Sequence, residues 1–325
     1  MTMAQTMTPY ERVRAALAGE AVDRVPFVFW HHFRPEGSGE RLAQLTLEFF
    51  VEKFALDIIK VMPDLPYPLP TDGSARLEEL AAHPRLDLTT PSFREQLVCI
   101  RAIRQRVGTE YPLIVTLFSP LTYVLRAIGK RQGVAAIRAN PEAARQAMET
   151  IAANLRLLMS EAIKAGASGI FFSCMGATTA DFTREEYRTL GRPYDLAALE
   201  GAQDGWLNIV HVHADPDQSE DEVYFESFTD YPVQVMSWSD RLTGPSLSEA
   251  LQLTSKTLMG GLHERGPLTR GSEEELKNEM LSAISQTNAR RLILANGCSV
   301  PDETPEEWLH LARRLLETSG LTRSQ

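Results

Sequence analysis

The amino-acid sequence predicts a (β/α)8 TIM barrel spanning residues 1–325 as one α/β domain, with an N-terminal helix, long βα loops and residues 1–7 expected to be flexible. Three observations lead there. Eight short, apolar, β-rich runs recur along the chain. Longer helical patterns with recognisable start signals separate them. A Gly-rich strand-to-helix turn of the dinucleotide type is absent, which weakens the open doubly wound sheet as an alternative. A length of 325 residues is long for an average domain and ordinary for a barrel.

In chain order the runs are 25–30 "VPFVFW", 57–62 "DIIKVM", 113–118 "LIVTLF", 169–174 "GIFFSC", 208–213 "NIVHVH", 233–238 "VQVMSW", 257–262 "TLMGGL" and 291–295 "RLILA". Near-continuous apolar runs suit parallel strands covered on both faces. Thr8-Pro9-Tyr10-Glu11 reads as a capping box with proline in the first turn, and Thr183/Glu186, Ser272/Glu275 and Thr304-Pro305-x-Glu307 repeat the pattern. Residues 143–165 form a long amphipathic helix after Asn140-Pro141, and 308–316 form the last, stopped near Gly320. Two connections are long: 63–92, rich in Pro, Gly and Asp, and 214–231, acidic and then aromatic. Both follow the C-terminal ends of strands, where barrel active sites lie, and read as lids or binding loops, with surface decoration as the alternative.

Composition excludes several classes. Lys and Arg number 33 against 43 Asp and Glu, a net charge of −10. An acidic chain without a basic run is a poor binder of nucleic acid or of a membrane surface. No run is long and apolar enough for a spanning helix, and the polar start "MTMAQTMTPYERV" has no signal-peptide core. Three cysteines are too few for a disulfide framework, so a cytoplasmic, reduced protein acting on a small molecule is expected.

The chemistry-bearing residues gather at predicted strand ends. His211 and His213 close the fifth run in "NIVHVHAD", and residues two apart on a strand share a face. Cys298 follows the eighth run in "LILANGCSVP". A barrel brings those ends to one rim, where His, His and Cys would supply three ligands to zinc and leave a fourth position open, the catalytic pattern. A second reading stays open: strand-end histidines that bond backbone carbonyls and a cysteine that packs as a small hydrophobe. His31 and His32 follow the first run with Trp30, Phe33 and Arg34, and His263, Glu264 and Arg265 follow the seventh. Ser173 and Cys174 end the fourth, Asp64 lies past the second, and Trp238 ends the sixth with Asp240 close behind. Asp64, Ser173 and His263 are candidates for acid/base or supporting roles, and His31, His32, Arg34 and Trp238 for substrate contacts. Cys174 is a further soft ligand or a packed thiol. Lys60 lies inside a buried run and needs a partner or a polar lumen.

Four segments resemble the uroporphyrinogen decarboxylase superfamily: "TPYERVRAALAGEAVDRVPF", "PLIVTLFSPLTYVLRAIG", "GASGIFFSCMGATTADFTREEYRTLGRPY" and "ANGCSVPDETPEEWLHLARRL". The resemblance implies a (β/α)8 barrel and allows a homodimer. It also implies one of two chemistries. Decarboxylases of this superfamily act on a polycarboxylate tetrapyrrole without cofactor and carry two arginines after strand one, where this chain has His31 and, nearby, Arg34. Their aspartate at the end of strand two falls at Val61 or Met62, with Asp64 two residues on. Their tyrosine falls at Leu125 or Arg126, and their late histidine at Cys298. Ser173 matches. Such a substrate needs fixed cationic donors, which these positions lack.

The second branch comprises zinc methyltransferases that move a methyl group from a corrinoid protein to a thiol such as coenzyme M, with H-x-C after strand five and Cys after strand eight. His211, His213 and Cys298 resemble that pattern, His213 replacing its first cysteine. The resemblance therefore implies zinc and, through a partner or substrate, a corrinoid. A site with one thiolate keeps net positive charge on the metal. It would bind an incoming thiolate firmly and make it a weaker nucleophile, or favour activating water. Zinc-dependent methyl transfer to a thiol is the expected function, and a cofactor-free decarboxylase of a porphyrinogen or small carboxylate is the alternative.

Overall fold

In the computed structural model, which describes residues 6–215 and 222–318, eight parallel strands form one sheet. They are β1 (Phe27–Val28), β2 (Ile59–Val61), β3 (Leu113–Phe118), β4 (Gly169–Cys174), β5 (Ile209–Val212), β6 (Val235–Trp238), β7 (Thr257–Leu262) and β8 (Leu292–Asn296). The order is β1-β8-β7-β6-β5-β4-β3-β2, so first and last strands are neighbours and the sheet curls in a TIM-barrel-like way. All eight expected runs become strands. Several pair over a shorter core than the apolar run, β1 over two residues only.

β1 and β2 lie at the two ends of that order, and a buried carboxylate spans the seam between them. Phe27 O accepts from the Asp57 N–H at 3.0 Å, and the Phe27 N–H donates to Asp57 Oδ2 at 2.8 Å. Asp57 is fully buried and also receives Arg12 Nη1 at 2.5 Å, Arg24 Nη2 at 3.0 Å and Arg24 Nη1. Removing an acid held this way would leave Arg24 without a carboxylate and Arg12 with Asp23 alone, which Nε and Nη2 reach at 2.7 Å.

Three of the four expected caps start helices, whereas the Thr304 hydroxyl donates to Pro301 O at 2.7 Å ahead of the last helix, Glu306–Thr318. Pro9–Ala18 starts on the Thr8/Glu11 box, Arg184–Leu190 on Thr183/Glu186, and Glu273–Thr287 on Ser272/Glu275. The long helix runs Pro141–Lys164 from the Asn140 cap. The 63–92 connection contains a short helix, Leu77–Ala81, before Pro91–Val107 begins. Residues 1–5 and 216–221, parts of the expected flexible terminus and of the 214–231 loop, lie outside the described residues. No helix among the described residues is long and apolar enough to cross a membrane.

Register decides which side chains enter the lumen, because partners in a parallel ladder share a face and successive residues alternate. Lys60 pairs with Ile114, Thr116 with Phe171, Ser173 with His211, and His211 with Ser237, so this set points one way. Cys174 pairs with Val212 and Val212 with Trp238, so these face the surrounding helices.

Candidate metal centre

His211, the third residue of β5, is 2% exposed, and its ring is stacked on Phe171 at 5.3 Å. Its Nδ1 lies 3.2 Å from Ser237 Oγ on β6. With Nδ1–H as donor, the Nε2 lone pair remains free for a cation. His213 follows the strand, its N–H donating to Cys174 O at 2.9 Å. Cys298 sits in the turn after β8. The Asn296 side-chain amide donates to the Cys298 carbonyl, and the Val300 N–H to Trp30 O at 3.0 Å. Gly297 permits the close passage: a Cβ there would lie 2.7 Å from Ser239 Cα and 2.8 Å from Glu264 Oε2.

These elements bring donor atoms of His211, His213 and Cys298 within 4.8 Å of one another, with Cys298 Sγ 3.9 Å from His213 Nδ1. Tetrahedral zinc with bonds of about 2.0–2.3 Å requires donor separations of about 3.3–3.6 Å, so the set stands within roughly an ångström of bonding spacing. The protonation chemistry also fits. Burial, aided by His213 and Lys60, holds the His211 imidazolium well below its usual range, so the ring is neutral as a ligand must be. Burial, reinforced by Glu264, pushes the Cys298 thiol up to about 11, a value that a bound cation would reverse. The residues present fit zinc.

The triad lines a cavity of about 300 Å³. Lys60 Nζ enters it fully buried, 4.2 Å from the centroid of Phe171 and 4.8 Å from that of Trp30, and 3.3 Å from Met62 Sδ. Burial lowers its pKa to about 7, against the partial support of Cys298 and Asp64. The lumen that the sequence demanded for Lys60 is thus aromatic more than acidic. Arg126 also lines the cavity, with its guanidinium 4.6 Å over Phe118. Among the described residues no Asp or Glu lines it.

The other sequence candidates divide. Ser173 and His32 line the cavity. Asp64 stands behind His32, its Oδ1 2.6 Å from His32 Nδ1 and its Oδ2 accepting from the Phe33 N–H at 2.6 Å, so it orients the mouth. His31 turns into a neighbouring pocket and packs against Phe49 at 4.6 Å. Arg34 is exposed, 3.8 Å from Asp302. His263 Nδ1 accepts from the Arg265 N–H at 3.0 Å and does not line the cavity. Trp238 is buried on the helix side, where Nε1 donates to Pro245 O at 2.9 Å. Cys174 is likewise outside the lumen, 3.9 Å from Asp195 Oδ2. Sequence reasoning passed over Ser237 and the cavity roles of Arg126, Met62 and Met175. Arg126 carried a signal, as a cation in the otherwise apolar helix Pro120–Ile128.

Comparison with known proteins adds a family. The uroporphyrinogen decarboxylase (URO-D) family model matches residues 59–316. A methyltransferase from Methanosarcina mazei has a similar fold, with TM-score 0.72 and 17% identity over 96% of this chain and 98% of that one. A putative vitamin-B12-independent methionine synthase from Listeria monocytogenes shares the fold at TM-score 0.56 and 12% identity, with the same coverages of 96% and 98%. No curated protein sequence matches.

Proposed function

The chain belongs to the uroporphyrinogen decarboxylase family, and from that premise we propose that it is a zinc-dependent methyltransferase that moves a methyl group from a corrinoid or similar donor to a thiol acceptor. The observation that carries the reading is the convergence of His211, His213 and Cys298 at a cavity that no Asp or Glu among the described residues lines. Those three residues would hold zinc, which supplies a Lewis-acid position where an acceptor thiol is a thiolate at neutral pH.

The chain's own residues do the rest. Ser237 fixes the His211 ring and its tautomer. Lys60 places in the cavity an amine that, when protonated, offsets negative charge on an acceptor sulfur. Trp30, Phe171, Met62 and Met175 form an apolar wall that excludes water from the reacting atoms. Asp64 holds His32 at the rim, where a small-molecule substrate or a corrinoid-bearing partner would arrive.

A second reading, a cofactor-free decarboxylase of a carboxylate substrate, is favoured by Lys60 and Arg126 in the cavity. Two measurements separate the readings. Metal content is determined for protein purified without added metal, beside His211→Ala and Cys298→Ala. Stoichiometric zinc in the parent and its loss in both variants is expected; trace zinc unchanged by either substitution sinks the metal reading. Zinc-loaded protein with methylcobalamin and a series of thiols should demethylate the corrinoid. Carbon dioxide release by zinc-free protein would instead select the decarboxylase.

A further inference from the structure

Three strand ends meet around one acid beside the Cys298 turn. Glu264 lies two residues past β7, Ser239 one past β6 and Gly297 one past β8. Glu264 is 2% exposed and does not line the metal cavity. Its Oε1 accepts from Ser239 Oγ at 3.2 Å, and its buried Oε2 has no hydrogen-bond partner among the described residues. Oε2 bears on the Gly297 backbone, where a Cβ would stand 2.8 Å away. Among the described residues no Lys or Arg forms an ion pair with Glu264. His263 Nδ1 is 3.9 Å from Oε2, but it accepts from the Arg265 N–H and so has no proton to give. Arg241, the cation of this corner, faces Asp240 instead, with Nε 3.5 Å from Oδ2.

A buried carboxylate without a cation is costly, so its compensating charge should lie close by. The Gly297 backbone separates Oε2 from the next residue, Cys298, whose Sγ belongs to the proposed zinc triad. Of the charges around Cys298, Glu264 acts most strongly on its thiol, ahead of Lys60 and Arg265. With zinc bound, His211 and His213 are neutral ligands and Cys298 carries a single negative charge, which leaves the centre with a net positive charge. One further carboxylate brings the sum to zero. We infer that Glu264 is a positioning residue of the metal centre, whose carboxylate supplies from outside the ligand set the negative charge that His213 does not bring to it. Zinc then holds an acceptor thiolate less firmly, and leaves it a stronger nucleophile, than the His–His–Cys set alone would allow. The inference rests on the zinc reading.

The test measures zinc affinity by competition with a chromogenic chelator, with thermal melting to verify folding. The proteins are the parent, Glu264→Gln, Glu264→Asp, His213→Cys, and His213→Cys combined with Glu264→Gln. Glu264→Gln keeps the shape and the acceptor for Ser239 but loses the charge, and should weaken zinc at least about tenfold. Glu264→Asp shortens the side chain but keeps the charge. It should stay within about threefold of the parent, because Coulomb energy falls slowly with distance. A purely structural role reverses that order. In His213→Cys a second thiolate supplies the charge within the ligand set, so Glu264→Gln should cost about threefold or less there. Zinc bound by the parent with Glu264→Gln within about twofold of it, Glu264→Asp as weak as Glu264→Gln, or an equal loss in both backgrounds overturns the inference and leaves the zinc reading standing. A parent that binds no zinc overturns both. Should Glu264→Gln not fold, Glu264→Asp decides alone: retained zinc supports the charge, and lost zinc overturns it.

Discussion

Ser237→Ala deletes a single hydroxyl beneath a proposed ligand without touching any metal donor. In the parent, Ser237 Oγ lies 3.2 Å from Nδ1 of His211, a ring only 2% exposed. Leaving a buried N–H unpaired costs about 1–3 kcal/mol. Part of that cost falls equally on metal-free and metal-bound protein and cancels in the affinity. The remainder does not cancel, because the metal-free ring can shift tautomer or rotate, whereas the bound ring is pinned by Nε2. The expected loss of zinc affinity is therefore about 10- to 100-fold, the range found for outer-shell partners of metal-bound histidines. Competition with a chromogenic chelator measures it, and melting of the metal-free variant measures the common part. A dissociation constant within about twofold of the parent, the ordinary scatter between independent sites, would refute the assignment of His211 as a ligand through Nε2.

Three further outcomes are expected. Lys60→Met should be more stable than the parent near neutral pH: burial depresses the folded-state pKa from 10.5 to about 7, so the unfolded chain holds more protons between those values, and the parent gains stability as pH rises from about 7 to about 10.5 while the variant lacks that slope, as denaturant titrations across pH would show. Because the Cys298 thiol is raised to about 11, zinc binding must displace its proton, so affinity should climb with pH by about tenfold per pH unit below that value and lose this slope in Cys298→Ala. Asp57→Ala should cost about 3 kcal/mol in chemical denaturation, since Arg24 loses its acid and the β1–β2 seam its bracket while Arg12 keeps Asp23; a cost below about 1 kcal/mol would mean that water replaces the carboxylate there.

Strand number, helix starts and the His–His–Cys set were legible in the chain because each depends on local letters: an apolar run, a Thr-x-x-Glu box, a two-residue period at a rim. What depended on cross-strand register was not. Cys174 and Trp238 stand at strand ends like Ser173, yet both face the helices, and only the pairing of Cys174 with Val212 and Val212 with Trp238 reveals it. His31 and His32 are adjacent letters that part at the rim, one toward Phe49 and the other toward the cavity. Lys60 announced that it needed a partner, but its answer, two aromatic faces, comes from β4 and from the chain after β1. Ser246-x-x-Glu249 was a capping box open to reading, and it starts the helix Leu247–Leu253.

The cavity, lined by no carboxylate among the described residues, belongs to a chain of net charge −10. An anion in solution therefore meets a repulsive far field and an attractive short range, the reverse of electrostatic steering. Added salt screens exposed surface charges over about 10 Å at 0.1 M and affects a recessed site far less. Encounter with a small anionic ligand should thus quicken as ionic strength rises, while its dissociation changes little. Rate constants measured across a salt series would display the acidic exterior and the basic interior as two separate terms.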